Sequence, residues 1–136
     1  MPLQLINPAG LPEPQMYSQV VVATGSRQVI VAGQVPSGAD GALVGPGDLA
    51  AQTEQTLRNV ATALAAAGAT FADVVRLGIY VVGYDETTLE QLGAGLGRAA
   101  DVIARPDGPP AATLVGVAAL VVPGQLIEIE ATAVLP

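Results

Sequence analysis

The chain has 136 residues, enough for one domain with a real core, and half of it (51%) is hydrophobic. Its net charge is −7, with twelve acids against five arginines, and it contains no His, Cys, Lys or Trp. These counts exclude Ser-His-Asp and Cys-His nucleophile systems, lysine Schiff bases, disulfides, and zinc held by nitrogen or sulfur.

The acidic balance and scarce aromatics disfavour nucleic acid and anionic membrane surfaces as partners. No apolar run is long enough to span a bilayer, and no basic-then-apolar leader is present, so a cytoplasmic protein is the expectation. Chemistry in such a chain falls to carboxylates, Tyr, Ser or Thr, Arg, backbone groups and water.

Residues 1–16 are proline-rich and without periodicity, and read as an arm. Ser18 to Ala23 is a short Val-rich strand. Gly25 and Ser26 form a turn, and Gln28 to Val35 is a second strand, so the pair reads as a hairpin. Pro36 to Gly47 is a Gly/Pro loop. Asp48 is an N-cap candidate for a helix whose apolar face is Leu49, Thr53, Leu57, Val60, Ala61 and Leu64. Gly68 closes that helix as a left-handed residue.

Val74 to Val82 is the most strand-like stretch. Val75, Leu77, Ile79 and Val81 share one face; Val74, Arg76, Gly78, Tyr80 and Val82 share the other. Thr87 with Glu90 has the spacing of a capping box. A second helix follows to about Ile103, with Leu89, Leu92, Leu96, Ala99 and Ile103 as its stripe. Gly93, Gly95 and Gly97 weaken it by about 1 kcal/mol each relative to Ala, and point to another element packed close by. Arg105 to Pro110 is a loop. Ala112 to Leu120 and Leu126 to Val134 are the closing strands, with Pro123 and Gly124 as the turn between them.

The order β-β-α-β-α-β-β, with a hairpin at each end, implies an α+β sheet carrying both helices on one face. The other face is left uncovered by the chain itself, and burial between subunits follows.

The glycines at 93, 95 and 97 do not make a dinucleotide site. The third glycine of that fingerprint falls on Arg98, and the run lies inside a helix. Ile127 to Ala131 is more informative. Ile127, Ile129 and Ala131 face one way, and Glu128 and Glu130 the other, roughly 6–7 Å apart. These are solvated residues on a sheet face or, if buried, paired or functional ones. Tyr17, Tyr80 and Tyr84 suit core or rim packing. Arg76 is placed to pair with Glu130 or Glu128, while Arg98 and Arg105 read as surface or interface charges.

Several short matches fall in one order along almost the whole chain. Met16, Tyr17, Ser18 and Gln19 contain a Tyr-x-Gln step. Ile30 to Pro36 is an apolar run ending in Ala-Gly-Gln-Val-Pro. Gln55 to Val60 has the pattern Gln-x-x-x-Asn-Val. Pro110 to Val117 and Ile127 to Ala131 complete the set. Together they resemble the RidA/YjgF/YER057c/UK114 (Rid) family.

The resemblance implies a chorismate-mutase-like α+β fold. It also implies a homotrimer with a central β-barrel and a ligand cleft between each pair of subunits. Active members of that family hydrolyse enamines and imines to 2-keto acids and ammonia without a cofactor or metal. By position, Glu128 matches the acid that places the hydrolytic water. Tyr17, Gly33, Thr113 and Leu114 match ligand-side positions. Ala32 stands where many members have Ser, and Ala112 where active members have the Arg that clamps the substrate carboxylate. Losing that bidentate contact costs about 10² or more in affinity for an α-carboxylate. Three readings follow: an imine/enamine deaminase acting on a substrate without that clamp, a ligand-binding or pathway-partner protein, and a chaperone-like or translation-related role.

Overall fold

The computed structural model describes residues 3–136, so of the expected arm Met1 and Pro2 lie outside the described residues. The strands are β1 (Gln4–Ile6), β2 (Val20–Val22), β3 (Arg27–Gln34), β4 (Val74–Val82), β5 (Ala111–Val117) and β6 (Ile127–Leu135). The helices are α1 (Leu49–Ala66), α2 (Thr88–Arg98) and α3 (Ala100–Ile103).

Helix α1 forms as its sequence dictates. Asp48 caps it by accepting from the Ala51 N–H at 3.0 Å. Gly68 follows its C-terminus at φ 77°, a conformation that only Gly adopts cheaply. Its inner face, Leu57, Val60 and Leu64, packs with Ile127, Ile129, Ala131 and Ala133 of β6 in one buried core. Strand β6 alternates buried and half-buried residues over its whole length, as its apolar–polar alternation requires.

Both expected hairpins are corrected. The main sheet has the order β3-β6-β4-β5, and β1 pairs with β2 in a separate two-stranded ribbon. Part of the proline-rich arm is therefore a strand. A tight hairpin between β2 and β3 would need positive φ at its turn. Gly25 does not adopt it, and packs instead against Leu135 and Val134 at the end of β6. At the other end, β5 pairs in parallel with β4 rather than with β6, which lies between β3 and β4 and antiparallel to both. Gly124 does sit in a turn, closed by the Gln125 N–H on the Val122 carbonyl at 3.0 Å. That turn belongs to a connection passing from the sheet edge to its centre.

Two further expectations on β4 and α2 change. A bulge shifts the β4–β6 register between Val74 and Arg76. It turns Val74 into the core, where it is fully buried, so strict alternation put Val74 on the wrong face. Thr87 makes no capping bond. Asp85 organises the start of α2 instead, accepting from the Thr87 N–H at 2.8 Å and hydroxyl at 2.7 Å. A reciprocal box occurs at Thr70 and Asp73, ahead of β4.

The second helix breaks at Ala99 and resumes as α3. Arg58 on α1 ties this break down. It donates to both Asp101 carboxylate oxygens (3.0 and 3.1 Å) and to the Arg98 carbonyl (3.0 Å). The Arg58 hydrogen bonds hold the Asp101 carboxyl below its ordinary pKa. A depressed carboxylate pKa adds stability above the unfolded value of about 4, lost as pH falls through the folded value. Thermal midpoints measured from pH 7 to pH 3 are therefore expected to drop at the acid end. The drop should be shallower in Arg58→Met and in high salt. Parallel curves for wild type and Arg58→Met would remove this pair from the account.

Candidate functional site

The sheet presents two faces, and the candidate residues divide between them. On the open face, opposite the helices, Glu128 and Glu130 project from β6. Gly33 of β3 lies beside Glu128, and a Cβ there would collide with the carboxylate. Gly78 of β4 plays the same part for Glu130, where a Cβ would come within 2.5 Å of Oε1. Each acid therefore lies flat across a neighbouring strand because that strand has no side chain at that position.

The two acids are not equivalent. Glu130 accepts from the Tyr80 hydroxyl at 2.7 Å and has Arg76 Nη1 at 3.6 Å. Arg76 thus pairs with Glu130, one of its two expected partners. The hydrogen bond to Glu130 holds the Tyr80 phenol above its ordinary pKa. Glu128 has no cationic partner among the described residues. Its polar contact is the Gln125 amide, which donates to Oε1 at 3.2 Å and to the Ile127 carbonyl at 3.1 Å. One acid has a phenol and a guanidinium beside it; the other keeps lone pairs free for a water or a ligand.

The helix side holds the second group. A cavity of about 760 Å³ lies between α1, α2 and the β4–β5 half of the sheet. Tyr17, Ala112 and Leu114 line it, with Leu57, Leu92 and Ile127 among the apolar walls. Ala112 is level with Leu77, and Leu114 with Ile79. Thr113, between them and level with Gly78, is exposed and points to the open face. The N-terminal arm reaches the cavity because Ser18 fastens it to the loop before β5. The Ser18 hydroxyl donates to the Pro109 carbonyl at 2.6 Å and its N–H to the Pro110 carbonyl at 3.0 Å.

Within one chain, then, Gly33, Thr113 and Glu128 lie on the open face, and Tyr17, Ala112 and Leu114 on the helix side. Arg105, expected at the surface or an interface, is half-buried instead. It lines the cavity and donates to the backbone carbonyls of Gly108 (2.6 Å), Val74 (2.7 Å) and Phe71. Sequence reasoning missed Gln125 and the role of Arg105, since nothing in a Gln after a turn or an Arg in a loop marks either. Tyr80 could have been paired with Glu130, because alternation already set Arg76, Gly78 and Tyr80 on one face. Among the described residues no group of three or more acidic side chains is placed to hold a metal ion.

Comparison with known proteins fits this architecture. The Endoribonuclease L-PSP family profile matches residues 11–135. YyfB from Yersinia pestis, a conserved Rid-family protein of unknown function, is 40% identical. The match covers 99% of this chain and 100% of that one, with a TM-score of 0.86. Rv2704 from Mycobacterium tuberculosis, of the YjgF/YER057c/UK114 family, is also 40% identical, covering 88% and 86% of the two chains at a TM-score of 0.60. The YjgF gene product of E. coli is 31% identical over 82% and 84%, at a TM-score of 0.65. With its α+β fold, the order of its elements and these matches, the chain belongs to the Rid (YjgF/YER057c/UK114) family.

Proposed function

We propose that this protein binds a small molecule in clefts between the subunits of a homotrimer. There it hydrolyses an imine or enamine without a cofactor, on a substrate lacking a carboxylate clamped at position 112. The observation that carries the reading is the difference between the two acids. Glu130 is held by Arg76 and Tyr80, whereas Glu128 is oriented by Gln125 and left free. Glu128 takes a proton from water as the oxygen adds to the C=N carbon. The proton then reaches the nitrogen, and C–N cleavage leaves a carbonyl compound and an amine or ammonia.

The split of candidate residues over two faces of one chain supports the proposed subunit arrangement. A second copy brings one chain's open face toward another's helix-side rim. Ile30, 68% exposed in the middle of β3, marks the open face as one that needs covering. In this reading the protein is cytoplasmic; no described helix is long and apolar enough to cross a membrane. RNA is not its partner, despite the name of the matched family, because a net charge of −7 without Lys or His opposes phosphate contact.

A binding or sensing role without turnover is the second reading. It is favoured by Ala112, which offers a methyl group to an apolar cavity at the position where the family resemblance implies a guanidinium in active members.

The test compares ammonia and carbonyl release from freshly generated neutral imines and from 2-imino acids, alongside the mass in solution. Expected are a trimer, turnover of neutral imines by the wild type, and a loss of about 10² or more in Glu128→Gln. Ala112→Arg is expected to gain 2-imino acids as substrates. Turnover unchanged in Glu128→Gln removes that residue from the mechanism. Binding without turnover in any variant selects the sensing role, and a monomer at micromolar concentration removes the intersubunit cleft.

A further inference from the structure

The helix-side cavity is far larger than a three- or four-carbon imino acid requires, and falls in the range that encloses drug-sized ligands. Its walls are mostly Leu, Ile, Phe and Met side chains, with Gln15, Tyr17 and Thr53 as the uncharged polar ones, and Arg105 is the one cation among its lining residues. That guanidinium is half-buried, and no described carboxylate forms an ion pair with it. Its partners are three carbonyl oxygens, reached through Nε and Nη1; they accept hydrogen bonds but do not balance the charge. Burial pulls its pKa below the ordinary value, and Asp107 and Asp73 offset this only in part.

A second polar group is also unmatched. Thr53 lines the cavity and is 2% exposed, and its hydroxyl has no hydrogen-bond partner. Its methyl side lies against Gly95. A guanidinium without an ion pair and a buried hydroxyl without a partner, beside an apolar hollow, are costly unless something pairs with them.

We infer that the cavity takes a bulky apolar monocarboxylate, its chain or ring between α2 and the β4–β5 strands and its carboxylate at Arg105. This names the ligand class for the small-molecule reading above, and rests on that reading only in taking this side of the sheet as a ligand site. The anion is held from the loop before β5 rather than from position 112. The walls select for length and bulk, which a short imino acid cannot supply.

Calorimetric titration of the full-length protein with acetate, butyrate, octanoate and decanoate, and with octanol, tests the assignment. Affinity is expected to rise about fourfold per added methylene until the cavity is filled. Octanoate is expected to bind at least about tenfold more tightly than octanol, by a margin that shrinks as salt is added. Arg105→Gln should erase that margin while octanol still binds, and Ala112→Trp should weaken both ligands by tenfold or more. Circular dichroism checks that the variants fold. Should Arg105→Gln not fold, the wild-type acid–alcohol margin and its salt dependence decide.

Affinity independent of chain length, or equal for acid and alcohol, overturns the inference. Imine turnover is scored separately. Carboxylate binding without turnover supports this inference and removes the catalytic reading; turnover without chain-length-dependent binding does the reverse.

Discussion

Gln52→Ala is expected to lower the unfolding free energy by about 2–4 kcal/mol, although Gln52 is polar and lies outside the apolar stripe of its helix. The side chain is fully buried and joins three separate segments. Its amide nitrogen donates to the Gly45 carbonyl at 3.1 Å and the Gly124 carbonyl at 3.0 Å. Its oxygen accepts from the Leu126 N–H at 2.8 Å. The loop before α1, the turn before β6 and the entry to β6 itself are thereby fixed to one helical position. Truncation strips the Gly124 carbonyl and the Leu126 N–H of their partner and opens a void, while the Gly45 carbonyl keeps the Asp48 N–H. Gln52→Glu keeps the volume but sets a carboxylate against two carbonyl oxygens, so its loss should be at least as large and should ease as the pH falls. Urea unfolding of the three proteins measures this. A Gln52→Ala midpoint equal to wild type would show that water replaces the clasp at no cost.

The glycines of α2 supply the second large effect, and its sign depends on position. A Cβ on Gly95 would lie 2.5 Å from the Thr53 Cβ and 2.8 Å from the Ala50 carbonyl oxygen. The backbones of α1 and α2 approach closely there, and Ala must force them apart. Gly95→Ala is expected to cost about 1–3 kcal/mol despite the better helix propensity of Ala. Gly93, two residues earlier and exposed, has nothing within 4 Å of its virtual Cβ. Gly93→Ala should stabilise by about 0.5–1 kcal/mol. The two variants have the same composition and should bracket the wild type in a thermal melt. Shifts of the same sign would mean that the helix contact yields freely.

These residues also show what could be read from the chain alone. The stripe of α1, its Asp48 and Gly68 ends, and the alternation of β6 are local signals, and local signals survive folding. A close approach at the α2 glycines was legible as a possibility, but not which glycine makes it, since that depends on where Thr53 lies in space. Strand pairing was the weakest part. Adjacent strands joined by turn residues look like hairpins, and only the competition for a central place in the sheet shows that β6 displaces β5 from that role. The acids at 128 and 130 were found from alternation. Their inequality was not, because it rests on Gln125, Arg76 and Tyr80 acting from other elements. Arg105 looked like an ordinary loop cation because burial of a loop residue leaves no periodic trace.

The position of β6 has a consequence for how the molecule is made. It follows every other strand in the chain, yet sits between β3 and β4, with partners on both edges. Until it arrives, β3 on one side and the β4–β5 pair on the other present bare hydrogen-bonding edges, and the inner face of α1 has little to rest on. The growing polypeptide on a ribosome therefore cannot close its sheet piecemeal. It waits for the final insertion, joining residues about a hundred positions apart as Arg27 meets Leu135, and such non-local closure is slow. Unpaired edges in that interval favour aggregation of the nascent chain more than anything in the finished protein does.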